Sequence, residues 1–146
     1  MQALSKREIP VNQQPLNQRL KGYSTDDVEK YWKQLDRDAL DREKHFLFLD
    51  LVFPLLYGTA FLISMILAWK MHGKLPSVWY ILLVLITVIA DWTENLIQIG
   101  QLERFVTNAS LQAGWFRLAS MATIIKLIAF VVMSLFLLIV VMKQGK

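Results

Sequence analysis

Three long apolar runs occupy most of the chain beyond residue 45, and each carries very little charge. The first, 46–69, holds Asp50; the second, 76–98, holds Asp91 and Glu94; the third, 118–142, holds Lys126. At about 1.5 Å per residue, each run is long enough as a helix to cross a hydrocarbon core about 30 Å thick. A soluble bundle would alternate polar and apolar faces, and the stretches 80–90 and 128–142 show no such alternation. The pattern ahead of the runs is different. Residues 1–22 contain Pro10 and Pro15 and no apolar periodicity, which reads as an extended or disordered arm. Over 23–45, Val28, Trp32, Leu35 and Ala39 recur every three or four residues, opposite Lys30, Lys33, Asp36 and Arg37. That spacing predicts an amphipathic helix, with Ser24 as its N-cap and Asp26, Asp27 and Glu29 at the positive end of its dipole. Asp38 offers a second cap, so a break near residues 36–38 is expected. Such a helix either packs on the protein's own membrane-facing end or lies on lipid or a partner. A short tail, 143–146, closes the chain.

Composition changes this picture little. A hydrophobic share of 55% and a mean hydropathy of +0.38 do not describe an ordinary soluble domain. Trp69, Trp79, Tyr80 and Trp115 sit near the ends of the runs, as membrane-interface aromatics do. The fold class is therefore all-α: an integral membrane helical bundle of three transmembrane helices plus an N-terminal amphipathic helix. The first apolar run begins after a long polar segment, unlike a cleavable signal peptide. A net charge of +4 gives no basic face for nucleic acid, because both signs interleave before His45. With no cysteine, disulfides, thiolate metal sites and cysteine nucleophiles are excluded. Eleven Lys and Arg fall on the side of the N-terminus and second loop, among them Arg104 and Arg117. Four fall on the other side: Lys70, Lys74, Lys143 and Lys146. The positive-inside rule then puts the N-terminus in the cytoplasm and the C-terminus outside. On that topology the glycosylation sequon Asn108-Ala109-Ser110 faces the wrong side and reads as chance.

Charge inside the runs supplies the candidate chemistry. Asp91, Glu94, Asn95 and Gln98 fall at i, i+3, i+4 and i+7 with Thr87 one turn before, which makes one polar stripe. Ser120, Thr123 and Lys126 form a shorter stripe, and Asp50, Pro54, Tyr57 and Gly58 share a side of the first run. Counted from the cytoplasmic boundary, Asp50 lies about 6 Å deep, Asp91 and Glu94 about 6 to 9 Å, and Lys126 about 12 Å. Lys126 leans back towards that boundary and the two acids lean away, so the side chains converge. Pro54 has no N–H for the carbonyl of Asp50, so a kink is expected there. An isolated charge at mid-membrane costs at least about 2.5–3.5 kcal/mol, so this intramembrane cluster of Asp50, Tyr57, Asp91, Glu94, Asn95 and Lys126 must be satisfied internally. Three acids cannot all pair with one lysine. Either Arg42, His45, Arg104 or Arg117 reaches in, or an acid is protonated, or a cation or ligand sits there. His45 and His72 lie at opposite ends of the first run and cannot share a metal at short range, while Asp91 and Glu94 alone could bind a hard cation, a weak signal without more oxygen ligands. No cofactor, metal or catalytic residue is expected, since no phosphate loop or nucleophile motif occurs.

Taken in order, the residues resemble a family. Tyr23-Ser24-Thr25-Asp26-Asp27, the block Asp50 to Gly58 (D-x-x-F-P-x-x-Y-G), Asp91-Trp92-Thr93-Glu94-Asn95 (D-x-x-E-N), and Leu118-Ala119-Ser120 with Lys126 follow one another. The chain is similar, over about residues 22–142, to a widespread family of small helical integral membrane proteins of uncharacterised function. The two acidic blocks are specific together and weak apart. Many family members carry a further membrane helix ahead of the first block, where this chain has its polar arm. The resemblance implies a membrane bundle and no particular activity.

Two functions from different classes fit. The first is a non-enzymatic scaffold or accessory subunit whose buried charges set helix pairing and partner docking. The alternative is a small oligomeric ion- or proton-coupled transporter using the intramembrane carboxylates. The expected partners are the lipid bilayer and either further copies of the chain or a larger membrane complex.

Overall fold

The first two helices start at short polar side chains that cap them. In a computed structural model, which describes residues 24–70 and 77–143, Ser24 accepts from the Asp27 N–H at 3.2 Å. The Ser24 N–H in turn donates to the Asp27 carboxylate at 3.0 Å, closing a capping box. This opens α1 (Thr25–Lys33). The chain then breaks, and Asp36 accepts from the Ala39 N–H at 2.7 Å to open α2 (Arg37–Asp50). The cap is thus Asp36; Asp38 sits in the first turn, where the helix dipole favours a carboxylate. The arm over residues 1–22, Tyr23, His72, Lys74, Pro76 and Lys146 lie outside the described residues.

Leu51 and Val52 form a turn between α2 and α3 (Phe53–Lys70). Pro54 accounts for it: its ring removes the N–H that would bond the Asp50 carbonyl. The Leu55 N–H reaches Val52 at 3.1 Å instead of continuing the ladder to Leu51. Two main-chain carbonyls, of Asp50 and Leu51, are thereby freed inside an apolar region. Two longer helices follow, α4 (Val78–Val106) and α5 (Ala113–Met142). Both run past their apolar cores, α4 beyond residue 98 and α5 before residue 118. There Gln101 accepts from the Gln112 N–H at 2.9 Å and Arg104 donates to the Ser110 carbonyl at 2.9 Å. Asn108 ends α4 with a left-handed φ of 56°, its N–H on Phe105 O and that of Ala109 on Arg104 O. This is a Schellman cap, which favours asparagine or glycine at that position whether or not a sequon is present.

No strand occurs among the described residues, and the fold is an all-α bundle. Three stretches are long and apolar enough to cross a membrane: Arg37–Lys70 taken through its turn, Val78–Val106 and Ala113–Met142. α4 is the central helix, packed most extensively on α5 and also on α3 and α2. Its neighbours leave apolar side chains such as Leu56, Leu67, Ile128 and Leu138 exposed on the outside, as lipid-facing helices do. Two apolar clusters fill the interior. At the α1 end, Val28, Tyr31, Trp32, Leu47, Leu102 and Phe116 pack together; at the far end, Met65, Tyr80, Val84, Val88 and Met133 do so. The amphipathic helix therefore lays its apolar face on the protein itself, with Trp32 fully buried against Phe105 and Phe116.

Gly58 lets α3 approach α4. A Cβ there would stand 2.8 Å from Cγ2 of Val88, a β-branched side chain with little freedom to turn away. Gly58→Leu is expected to destabilise the fold by about 1–3 kcal/mol in denaturant unfolding, as overpacking does.

Candidate functional site

Between the two apolar clusters lies a buried ionic layer, and every helix from α2 to α5 contributes to it. α4 supplies most of it, because the stripe Thr87, Asp91, Glu94, Asn95 and Gln98 turns inward and all five residues are buried. Lys126 of α5 is the centre. Its Nζ donates to Asp91 Oδ1 at 2.9 Å and to Glu94 Oε2 at 2.7 Å. Glu94 is fully enclosed, and its other oxygen accepts from the Gln98 amide at 3.2 Å. The second Asp91 oxygen accepts from the Tyr57 hydroxyl of α3 at 3.0 Å. Buried Thr123, one turn before Lys126, donates to the Ala119 carbonyl and also interacts with Glu94. These contacts convert two buried carboxylates and one ammonium into a closed hydrogen-bonded set. In a water-poor interior an unpaired member would be costly.

The turn before Pro54 is tied into the same layer. Asn95 donates to Asp50 Oδ2 at 3.0 Å and lies 3.4 Å from the Asp50 carbonyl that Pro54 leaves free. The Trp92 indole donates to the freed Leu51 carbonyl at 2.8 Å. Both freed carbonyls are thus met by side chains of the Asp91–Asn95 block. The D-x-x-F-P and D-W-x-E-N stretches are two halves of one joint. Asn95 Oδ1 is buried without a partner among the described residues.

All six candidate residues come together here: Asp50, Tyr57, Asp91, Glu94, Asn95 and Lys126. Of the four basic groups considered as extra partners, none pairs with a layer carboxylate. Arg104 bonds Ser110, the His45 ring meets the Asp41 carbonyl at 2.7 Å, and Arg42 and Arg117 are exposed. The third acid, Asp50, is held by an amide rather than a cation. Among the described residues no group of three His, Asp or Glu side chains is placed to hold a metal ion. The part of Trp92 was not anticipated from sequence. The signal for it is an indole N–H in an apolar run beside a proline-interrupted helix, since a buried indole seeks an acceptor. An open cleft of about 910 Å³ between α1, α2 and the α4–α5 connection, lined by Glu29, Lys33, Arg37 and Asp41, shares no residue with the layer. No family model, curated protein or solved structure matches this chain.

Proposed function

We propose that the chain is an integral three-span membrane protein, cytoplasmic at its N-terminus and external at its C-terminus. In this reading it is a non-enzymatic scaffold or accessory subunit of the family it resembles. The observation that carries the reading is the double pairing of Lys126 with Asp91 and Glu94 inside a layer that joins α2, α3, α4 and α5. A closed set of this kind fixes helix register and rotation, which is what a scaffold needs from buried charge. The lipid-facing exterior then remains for bilayer, further copies of the chain, or subunits of a larger complex. The absence of cysteine makes the topology directly testable, because a single introduced thiol reports on itself alone. In cells, Ser110→Cys is expected to be shielded from an impermeant maleimide and Ser77→Cys to react; the reverse pattern would invert the proposed orientation.

A small ion- or proton-coupled transporter is the second reading, and Asp50 is the observation in its favour. It is half-buried, and among the described residues it forms no ion pair and the neighbouring Asn95 oxygen is unpaired. Asp91 and Glu94 serve that reading poorly, since both are buried and bonded to Lys126. Proton flux into vesicles holding the purified chain, abolished by Asp50→Asn with the fold intact, would favour transport. No flux above that of empty vesicles favours the scaffold.

A further inference from the structure

Outside the ionic layer, Arg37, Arg42 and Arg117 form no ion pair among the described residues. Arg42 of α2 and Arg117 of α5 are exposed. Their basic neighbours differ: Lys44 pairs with Glu103 at 2.9 Å and Arg104 bonds Ser110. Asp38 stands one turn before Arg42 without engaging it. Arg37 opens α2 and is followed on its own face by Asp41 and Lys44, whereas Arg42 and Arg117 each head an exposed apolar stripe. On α2, Arg42, Phe46 and Leu49 recur at i, i+4 and i+7; on α5, Arg117, Met121, Ile124 and Ile128 recur at i, i+4, i+7 and i+11. All of these residues are exposed.

The two arginines also stand at one height. Asp50 and Lys126 are joined to the adjacent α4 residues Asn95 and Glu94, so the ionic layer is a common reference level. Arg42 precedes Asp50 by eight residues and Arg117 precedes Lys126 by nine, which places them about 12 and about 13 Å from that level. Side chains on both helices lean towards the helix N-terminus, away from the apolar stripes and towards the polar end. Lys143 lies 26 residues beyond Arg117, or about 39 Å, close to the roughly 40–45 Å between the outer limits of the two headgroup regions. Trp115, exposed two residues before Arg117, suits the same interface.

We propose that Arg42 and Arg117 form a rim that binds anionic phospholipid, each guanidinium taking a lipid phosphate whose acyl chains lie along the stripe below. The planar fork of arginine matches phosphate in a two-point contact, and the stripe supplies the apolar half of the site. The inference rests on the membrane-spanning reading above. The test uses the full chain in nanodiscs of phosphatidylcholine alone or mixed equally with phosphatidylglycerol. The wild type is compared with Arg42→Gln, Arg117→Gln and the double variant. The wild type is expected to melt higher in the anionic discs and to retain phosphatidylglycerol preferentially in native mass spectrometry. Each single substitution is expected to cut that preference about fivefold, and the double variant to lose it while melting normally in phosphatidylcholine. Inorganic phosphate added to the phosphatidylcholine discs is expected to change nothing. A wild type indifferent to headgroup charge overturns the proposal and leaves the rim to a protein partner. A double variant that keeps the preference overturns it as well, and so does free phosphate that reproduces the shift. Failure of the wild type to enter discs of either composition would instead strike the membrane-spanning reading.

Discussion

Replacing Lys126 with methionine is expected to destabilise the protein by about 3–5 kcal/mol, the range for breaking a buried ion pair from one side. The methionine fills a similar volume, so packing is largely kept and the loss is electrostatic. Asp91 and Glu94 would remain enclosed, Glu94 fully so, with the neutral groups of Tyr57, Gln98 and Thr123 in place of a cation to oppose two negative charges. Lys126→Arg would not be conservative. The ammonium contacts its two acids from one compact point at 2.9 and 2.7 Å, whereas a guanidinium is larger and planar. Unfolding in mild detergent by a titrated denaturant would measure both. The methionine variant is expected to lose most of its folded baseline, since whole domains are held by only about 5–15 kcal/mol.

Trp32→Ala is expected to cost about 3–5 kcal/mol, the range for emptying a buried aromatic site. The indole is fully buried, with tilted ring contacts at 5.4 Å to Phe105 and 6.1 Å to Phe116, so it fastens α1 to the ends of α4 and α5. Its Nε1 has no hydrogen-bond partner among the described residues. Trp32→Phe, which keeps a ring and removes that unpaired donor, is therefore expected to cost much less. Limited trypsin digestion reads the effect locally. In the alanine variant, cleavage after Lys30 and Lys33 should accelerate while the long helices stay intact. If α1 stayed equally protected, its seat would have to depend on something other than Trp32.

The three runs are legible as helices long and apolar enough to cross a membrane, because so few charges interrupt them, and the polar stripe on α4 is legible from helical spacing alone. What the sequence could not locate was where helices stop. Gln101, Glu103 and Arg104 look like a loop after an apolar run, yet they continue α4, because their polar groups meet Gln112, Lys44 and Ser110. Asp36 and Asp38 are chemically equivalent caps, and only the backbone geometry at Asp36 decides between them. The site was recognised as a set of residues, but not as a joint. Pro54 signalled a free Asp50 carbonyl; it did not say that Asn95 and Trp92 would arrive to satisfy Asp50 and Leu51. Such pairings across 41 and 45 residues of sequence depend on how the helices pack, including the close approach of α3 to α4 at Gly58, which no local pattern specifies.

The ionic layer acts as a coupled structural network, and a double-mutant cycle between Lys126 and Glu94 tests that coupling most directly. Lys126→Met, Glu94→Gln and the double variant would be unfolded under identical detergent conditions. The pair is 2.7 Å apart, with Glu94 fully enclosed and Lys126 largely so, and a coupling free energy towards the upper end of about 0.5–3 kcal/mol is expected, with the double variant more stable than Lys126→Met alone. Single effects that simply add, within about 0.5 kcal/mol, would contradict that coupling.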